Sequence, residues 1–377
     1  MEVRLYEFVG ESFFRRVGLT YMATGHYVIS RYTAGPFELI IPANAAFSMD
    51  FTKDRIVFID RIFWGIITGR KINQGIENTV TVTGQDLKEL LSRRQIVPDN
   101  MTNQNAPMGY DNANGSTETV IKHYVNNHAV NPKNPARKFG MLKIAPDKGR
   151  GIEDDAYYAR YVNLLDTAVT IGKRANLGIT ITGSEKTMDL IFDVAERVDR
   201  TYMQGKNRPL ILDVSNHNVD AMSYTEDQSQ SGNVFYCSRS GDEYEWETLT
   251  QTYFQTDNEP AGLGRREKSL SISVYEDGDQ YEQLEKNARK EMTKYLPAES
   301  LTCTMSRNLI YGKDYNVGDY VTLRYVDIGM VSNMEIVSVD VVIDSETTNY
   351  VAEFGEPQLN RFQKIERGNR SEEHTSE

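Results

Sequence analysis

The chain has 377 residues, 39% of them hydrophobic and 25% charged, enough for two or three compact soluble domains. Its formal net charge of −12 argues against a duplex-binding protein, because displacing counterions from phosphate needs a basic face. Two cysteines, Cys237 and Cys303, are too few for a disulfide framework or a thiolate zinc site, and both are expected to be buried as small apolar residues.

Residues 1–7 show no basic segment followed by an apolar stretch, so no signal peptide is expected. Residues 56–67 are apolar but too short to span a bilayer and are broken by Asp60 and Arg61, so the protein is expected to be made and to be soluble in the cytoplasm, with no membrane span. The 22 tyrosines favour β structure and protein contacts. Residues 57–59 and 63–67 read as short strands, and residues 79–83 alternate so that Val80 and Val82 share one face. A helix is expected next, with Thr83 as its cap, Asp86 three residues on, and Leu87, Leu90 and Leu91 as its apolar stripe. Arg93 and Arg94 then fall in its last turn, where positive charge suits the helix dipole.

Residues 99–118 are Asn-rich and aperiodic and read as a loop or linker. A helix over residues 117–126 carries Val120, Ile121, Tyr124 and Val125; a second over residues 163–175 lines up Leu164, Leu165, Ala168 and Ile171. Between them, residues 131–151 hold Pro132, Pro135 and Pro146 and are expected to be irregular. Strands are expected at 178–182 and 188–194. Later strands are expected at 209–214, 232–236, 244–253 and 269–275, and Tyr281, Leu284, Ala288, Met292 and Tyr295 keep helical spacing. A meander follows at 301–305, 320–325, 335–342 and 348–354, with turns at Gly312, Gly318, Gly329 and Asp344.

The expected fold is α+β and mainly β, with two small β-barrel-like domains flanking an α/β insert. The boundaries are a first barrel-like domain with a closing helix at 1–98, a linker at 99–118 and an α/β middle domain at 119–206. A second barrel-like domain with one helix spans 207–360, and a polar, poorly ordered tail spans 361–377.

Residue patterns for chemistry are sparse. Of the five histidines, His26, His123, His128, His217 and His374, the pair His123 and His128 is five apart rather than four, so solvated surface histidines are expected there instead of metal ligands. Gly262-Leu263-Gly264-Arg265-Arg266 lacks the third glycine of a dinucleotide loop and reads as a connection between strands. Lys148-Gly149-Arg150-Gly151 reads as a flexible basic turn. Sugar cleavage needs two carboxylates in a groove, and Glu153-Asp154-Asp155 and Asp242-Glu243 with Glu245 around Trp246 are the places to look. Strand alternation puts Glu243 and Glu245 on one face and Tyr244 and Trp246 on the other, the pattern of a half-buried strand. No catalytic residue, cofactor site or metal ligand is assigned, and the chain is read as a non-enzyme.

Several motifs together resemble a known family. Residues 53–59 with Phe63-Trp64-Gly65-Ile66-Ile67 are similar to the N-terminal barrel of siphovirus tail hub proteins, including the N-terminal hub part of tail-associated lysins. Residues 80–94, with Gly84, Asp86-Leu87 and Leu90-Leu91-Ser92-Arg93-Arg94, resemble the strand and helix that follow in that family. Leu177-Gly178-Ile179 and Val198-Asp199-Arg200-Thr201 resemble its middle region, and residues 311–321 its second barrel, which ends near Phe354-Gly355-Glu356.

The resemblance implies a virion structural protein at the tail tip. A homotrimer with two similar barrels per subunit would form a ring of six below the six-fold tail tube, closing it and surrounding the DNA exit channel. Implied partners are the distal tail protein, the tape measure protein and tail-tip or receptor-binding proteins, with DNA passing through unbound. The resemblance implies no catalytic residues in this region. The chain ends soon after the second barrel, so either a separate capping protein or a shortened form is expected. The alternatives are a cell-wall hydrolase using Glu243, Glu245 or Glu153, a host-surface adhesin, or a secretion spike. A spike is disfavoured because no glycine-punctuated short repeat is present.

Overall fold

The computed structural model describes residues 1–10, 13–75, 78–98, 109–153, 155–239, 250–256, 258–274, 279–295, 298–326, 329–344 and 347–355. None of its helices is long and apolar enough to cross a membrane. The chain forms two compact units, one of residues 1–222 with 302–355 and one of residues 223–301 with 356–377. Residues 356–377, including the expected polar tail, lie outside the described residues.

The structure is mainly β, as expected. Among the described residues the strands form no closed barrel: the largest sheet is an open path that runs from Val219–Asp227 at one end to Phe13–Tyr21 at the other. Within that path one arrangement occurs twice. Strands Thr24–Ser30, Pro36–Pro42, Thr79–Asp86, Phe63–Asn73 and Ile56–Ile59 lie side by side in that order. Strands Val219–Asp227, Ala298–Met305, Thr348–Phe354, Met330–Ile343 and Asp319–Tyr325 repeat both the sheet order and the chain order. Each set contains one long strand with a register shift in its middle, between Ile67 and Gly69 in the first and between Ile336 and Ser338 in the second. Such bulges bend a strand and let its two halves serve different neighbours.

The two sets are joined edge to edge. Residues 330–335 of the long strand Met330–Ile343 pair with Asp319–Tyr325, and residues 338–343 pair antiparallel with Thr24–Ser30 of the first set. At this joint Ser338 faces Ser30, Val341 faces Tyr27 and Ile343 faces Gly25. Alternation explains the strands: Leu39 and Ile41, Val80 and Val82, and Val339 and Val341 are all buried two residues apart.

One expected helix start is corrected. Thr83 lies inside the strand Thr79–Asp86, and the helix is only Glu89–Ser92. The alternation of Val80 and Val82 continues through Gly84, and neighbours on both sides satisfy the strand, so Thr83 has no orphan amides to cap. Part of the expected linker is also a strand: Asp111–Gly115 pairs with Asp155–Ala159. The other helices follow their signals. Thr117–Val125 is capped by Ser116, and Leu164–Arg174 by Asn163, whose Oδ1 accepts from the amides of Leu165 and Asp166. These two helices share a core with Leu142–Ile144, Leu177–Ser184 and Asp189–Glu196, and that core extends to Trp64, Ile66 and Leu87.

In the smaller unit, Val234–Arg239 lies between Thr250–Phe254 and Glu267–Ile272. Phe235, Cys237, Leu270 and Ile272 from this sheet pack with Leu284, Ala288 and Met292 of the helix Gln280–Met292. Cys237 and Cys303 are fully buried free thiols, as expected.

Candidate functional site

Three buried polar clusters and one cavity stand out among the described residues. All four belong to the larger unit.

The first cluster corrects the sequence reading of the histidines. His128 is fully buried rather than solvated, and His123 is half-buried. After Thr117–Val125 the helix loosens into one π turn, Asn126–Val130. A π turn brings residues five apart onto one face, so both imidazoles reach the same carboxylate. His123 Nε2 lies 2.8 Å from Asp111 Oδ1, and His128 Nε2 lies 2.7 Å from Asp111 Oδ2. Burial alone would raise the Asp111 carboxyl, but the two imidazole hydrogen bonds outweigh it and hold the group down at about 2. The arrangement fixes the strand Asp111–Gly115 to the end of the helix. Among the described residues no group of three His, Cys, Asp or Glu side chains is arranged to hold a metal ion.

The second cluster corrects the reading of Arg150 as part of a flexible turn. Glu118 is fully buried and accepts from Arg150 Nε and Nη2 at 2.8 Å each, from the Arg150 amide at 3.0 Å and from Lys122 Nζ at 2.5 Å. Asp193 on the strand Asp189–Glu196 takes a further bond from Arg150 Nη2 at 2.6 Å. Burial pushes the Glu118 carboxyl up, yet the Arg150 and Lys122 hydrogen bonds win and hold it far below the usual carboxylate range.

The third cluster sits at the joint between the strand sets. Buried Arg31 follows the strand Thr24–Ser30; its Nε lies 2.5 Å from Glu335 Oε1, and its Nη2 donates to the Asn176 carbonyl at 2.6 Å. Gly318 has φ of +94°, which favours glycine, and a Cβ there would lie 2.0 Å from Arg31 Nη1, so the guanidinium would have to move. Beside it, Lys88 Nζ pairs with Asp86 Oδ2 at 3.0 Å and donates to the Ser30 carbonyl at 2.5 Å. Burial is the dominant influence on Asp86 and raises its carboxyl in spite of Lys88. A cavity of about 240 Å³ adjoins these groups, lined in part by Arg31, Trp64, Asp86, Lys88, Thr180 and Tyr311. Its charged groups are engaged with one another, which suits a structural joint between segments.

The remaining candidates are dispersed. Glu153 is exposed, while buried Asp155 is held by Thr117 and Arg174. Gly262–Gly264 is a short turn between Thr250–Phe254 and Glu267–Ile272. His217 is exposed and His26 lies in the strand Thr24–Ser30. Asp154, Asp242, Glu243, Tyr244, Glu245, Trp246 and His374 lie outside the described residues. Sequence reasoning missed Asp111 and Glu118, and the only signal for either was Glu118 four residues before Lys122.

A family model described as Siphovirus ReqiPepy6 Gp37-like protein matches residues 12–356. No curated protein matches the chain. Among solved structures, the 43 kDa tail protein of prophage MuSo2 from Shewanella oneidensis gives a TM-score of 0.56 at 15% identity, covering 95% of this chain and 99% of that one. The lidless form of the Francisella PdpA–VgrG complex gives 0.51 at 8% identity, covering 95% of this chain and 66% of that one. A tail protein from Neisseria meningitidis MC58 gives 0.48 at 15% identity, covering 94% and 96%. At these identities the first two likenesses concern the fold.

Proposed function

Because the chain belongs to the Siphovirus ReqiPepy6 Gp37-like protein family, we propose that it is a non-enzymatic structural protein of a phage tail, and specifically its baseplate or tail-tip hub. In this reading three copies assemble into a ring that closes the tail tube and surrounds the channel through which DNA leaves. The observation that carries the reading is the repeated five-strand set, in the same chain order and the same sheet order. Two such sets per chain give six in a homotrimer, which matches a six-fold tube to a three-fold hub. Residues 1–98 and 207–360 would carry the two ring-building halves, with residues 119–206 as the insert. The net charge of −12 suits a channel that passes DNA without holding it. The distal tail protein, the tape measure protein and tail-tip or receptor-binding proteins are the proposed neighbours.

Light scattering across a range of concentrations tests the assembly. The expected mass is three times that of the 42.9 kDa chain. A monomer at every concentration, both alone and with the proposed tail neighbours present, overturns the hub reading.

A further inference from the structure

Arg93 and Arg94 follow the helix Glu89–Ser92, and they differ in how their charge is met. Arg93 Nη1 lies 2.6 Å from Asp54 Oδ1, and its Nε lies 3.1 Å from Glu89 Oε1. Arg94 has no carboxylate partner among the described residues. Its Nε donates to the Arg137 carbonyl at 2.8 Å and its Nη1 to the Arg93 carbonyl at 3.1 Å. Arg137 is held in the same way: its Nη2 donates to the Gln95 carbonyl, and no described carboxylate pairs with it. Burial first, then the Arg137 and Arg93 charges, pull the Arg94 guanidinium below its ordinary value, so the fold keeps two like charges together without neutralising them.

The pair is nonetheless fixed in place. The Arg94 guanidinium lies over the Phe139 ring, 3.8 Å from its centroid. Arg137 ends the short turn Pro135–Arg137, where Asn134 Oδ1 accepts from the Ala136 amide, and the Phe139 amide donates to the Ala129 carbonyl at 2.8 Å. Next to Gln95, Ile96 and residues 161–162 exchange backbone hydrogen bonds, from the Tyr161 amide to Ile96 and from the Ile96 amide to Val162, each at 2.8 Å. Tyr161 is 65% exposed with φ of +50°, a left-handed conformation that is costly for tyrosine, and Val162 is exposed beside it. Strain of this kind gathers at binding sites.

These features fit one kind of partner. An arginine fork matches a carboxylate, and arginine and tyrosine concentrate binding energy at protein interfaces. The net charge of −12 repels a long polyanion, whereas a short segment with one or two carboxylates meets mainly the local positive field, since exposed charges beyond ~8 Å are screened at physiological salt. We propose that Arg94, Arg137 and Tyr161 form a docking site for an acidic segment of a partner protein. Its aspartate or glutamate carboxylate sits between the two guanidiniums, and an apolar neighbour packs on Tyr161 and Val162. The site does not rest on the hub reading or on how copies of this chain assemble.

Calorimetric titration tests it with three probes at matched ionic strength: a short peptide of glutamates flanked by leucines, its glutamine counterpart, and inorganic phosphate. The glutamate peptide should bind at least about tenfold more tightly than the glutamine peptide and should weaken as salt rises. Arg137→Gln should weaken it by about tenfold or more. On the unaltered protein, amides 94–96, 137–139 and 161–162 should exchange more slowly when the glutamate peptide is present. Equal binding of the two peptides, or protection confined to other amides, overturns the site. Displacement of the peptide by phosphate would make it a phosphate site, and a fall in the light-scattering mass of Arg137→Gln would make its occupant a second copy. Either result overturns the acidic-partner proposal and leaves the hub reading standing.

Discussion

Asp111 and Glu118 show why single residues in this chain resisted reading from sequence. Five-residue spacing rules out one face of a regular α-helix, so His123 and His128 read as unrelated until the π turn Asn126–Val130 reset the register. Asp111 joined them from a stretch that looked like linker. Because its folded carboxyl is held at about 2, below the ordinary aspartate value near ~3.9, its contribution is present above about pH 4 and is lost as pH falls towards 2. Asp111→Asn should therefore lower stability by about 2 kcal/mol in urea unfolding at pH 6, with wild type and variant converging at the acid end of that window. A gap that stays constant down to pH 2.5 would show that the carboxylate charge is irrelevant. Glu118 makes a sharper case, since it is fully buried beneath Arg150 and Lys122. Arg150→Met leaves that charge short of partners and should cost on the order of 3 kcal/mol. Adding Glu118→Gln should recover part of the loss, and a purely additive double variant would contradict the coupling.

Among the elements, legibility followed the range of the interaction. The helix Leu164–Arg174 was readable because its cap, Asn163, and its apolar stripe are local. Thr83 and Asp86 imitate a helix start, but two flanking strands decide the outcome, and one of them, Pro36–Pro42, is distant in sequence. Asp86 instead accepts the Gly35 amide at 3.0 Å and the Lys88 amide at 2.8 Å, tying the strand end to a distant turn. The family resemblance implied two similar halves, but their strand order was not legible from the residues, because pairing order is non-local and the shared alternation of Phe37, Leu39 and Ile41 with Leu301, Cys303 and Met305 marks any half-buried strand. Gly84 marks how tightly the first set is built. A Cβ there would lie 2.1 Å from the Ile66 carbonyl oxygen and 2.5 Å from the Phe37 ring. Backbone cannot yield as a side chain does, so Gly84→Ala should destabilise by about 2 to 3 kcal/mol, read as a fall in melting temperature. An unchanged melting temperature would mean that the strands Phe63–Asn73 and Thr79–Asp86 are less closely held than their register implies.

At the level of the whole chain, the two units differ in what they can bury. The larger unit has a core that runs from Tyr6 and Trp64 through Ile121 and Phe192, with further buried strands around Leu39, Val82 and Val339. Among the described residues of the smaller unit the core cluster has seven buried members, two of them the small side chains Cys237 and Ala288. Hydrophobic stabilisation scales with apolar area removed from water, while the entropy of ordering scales with chain length, so a short segment with a sparse core has the thinner margin. The smaller unit should therefore open at lower free energy than the rest. Native-state hydrogen exchange should show the amides of Phe235, Cys237 and Leu270 exchanging about tenfold faster or more than those of Leu39, Val82 and Val339, and mild denaturant should widen the gap before global unfolding begins. Exchange of both groups at a single shared rate would mean that the chain unfolds as one cooperative body.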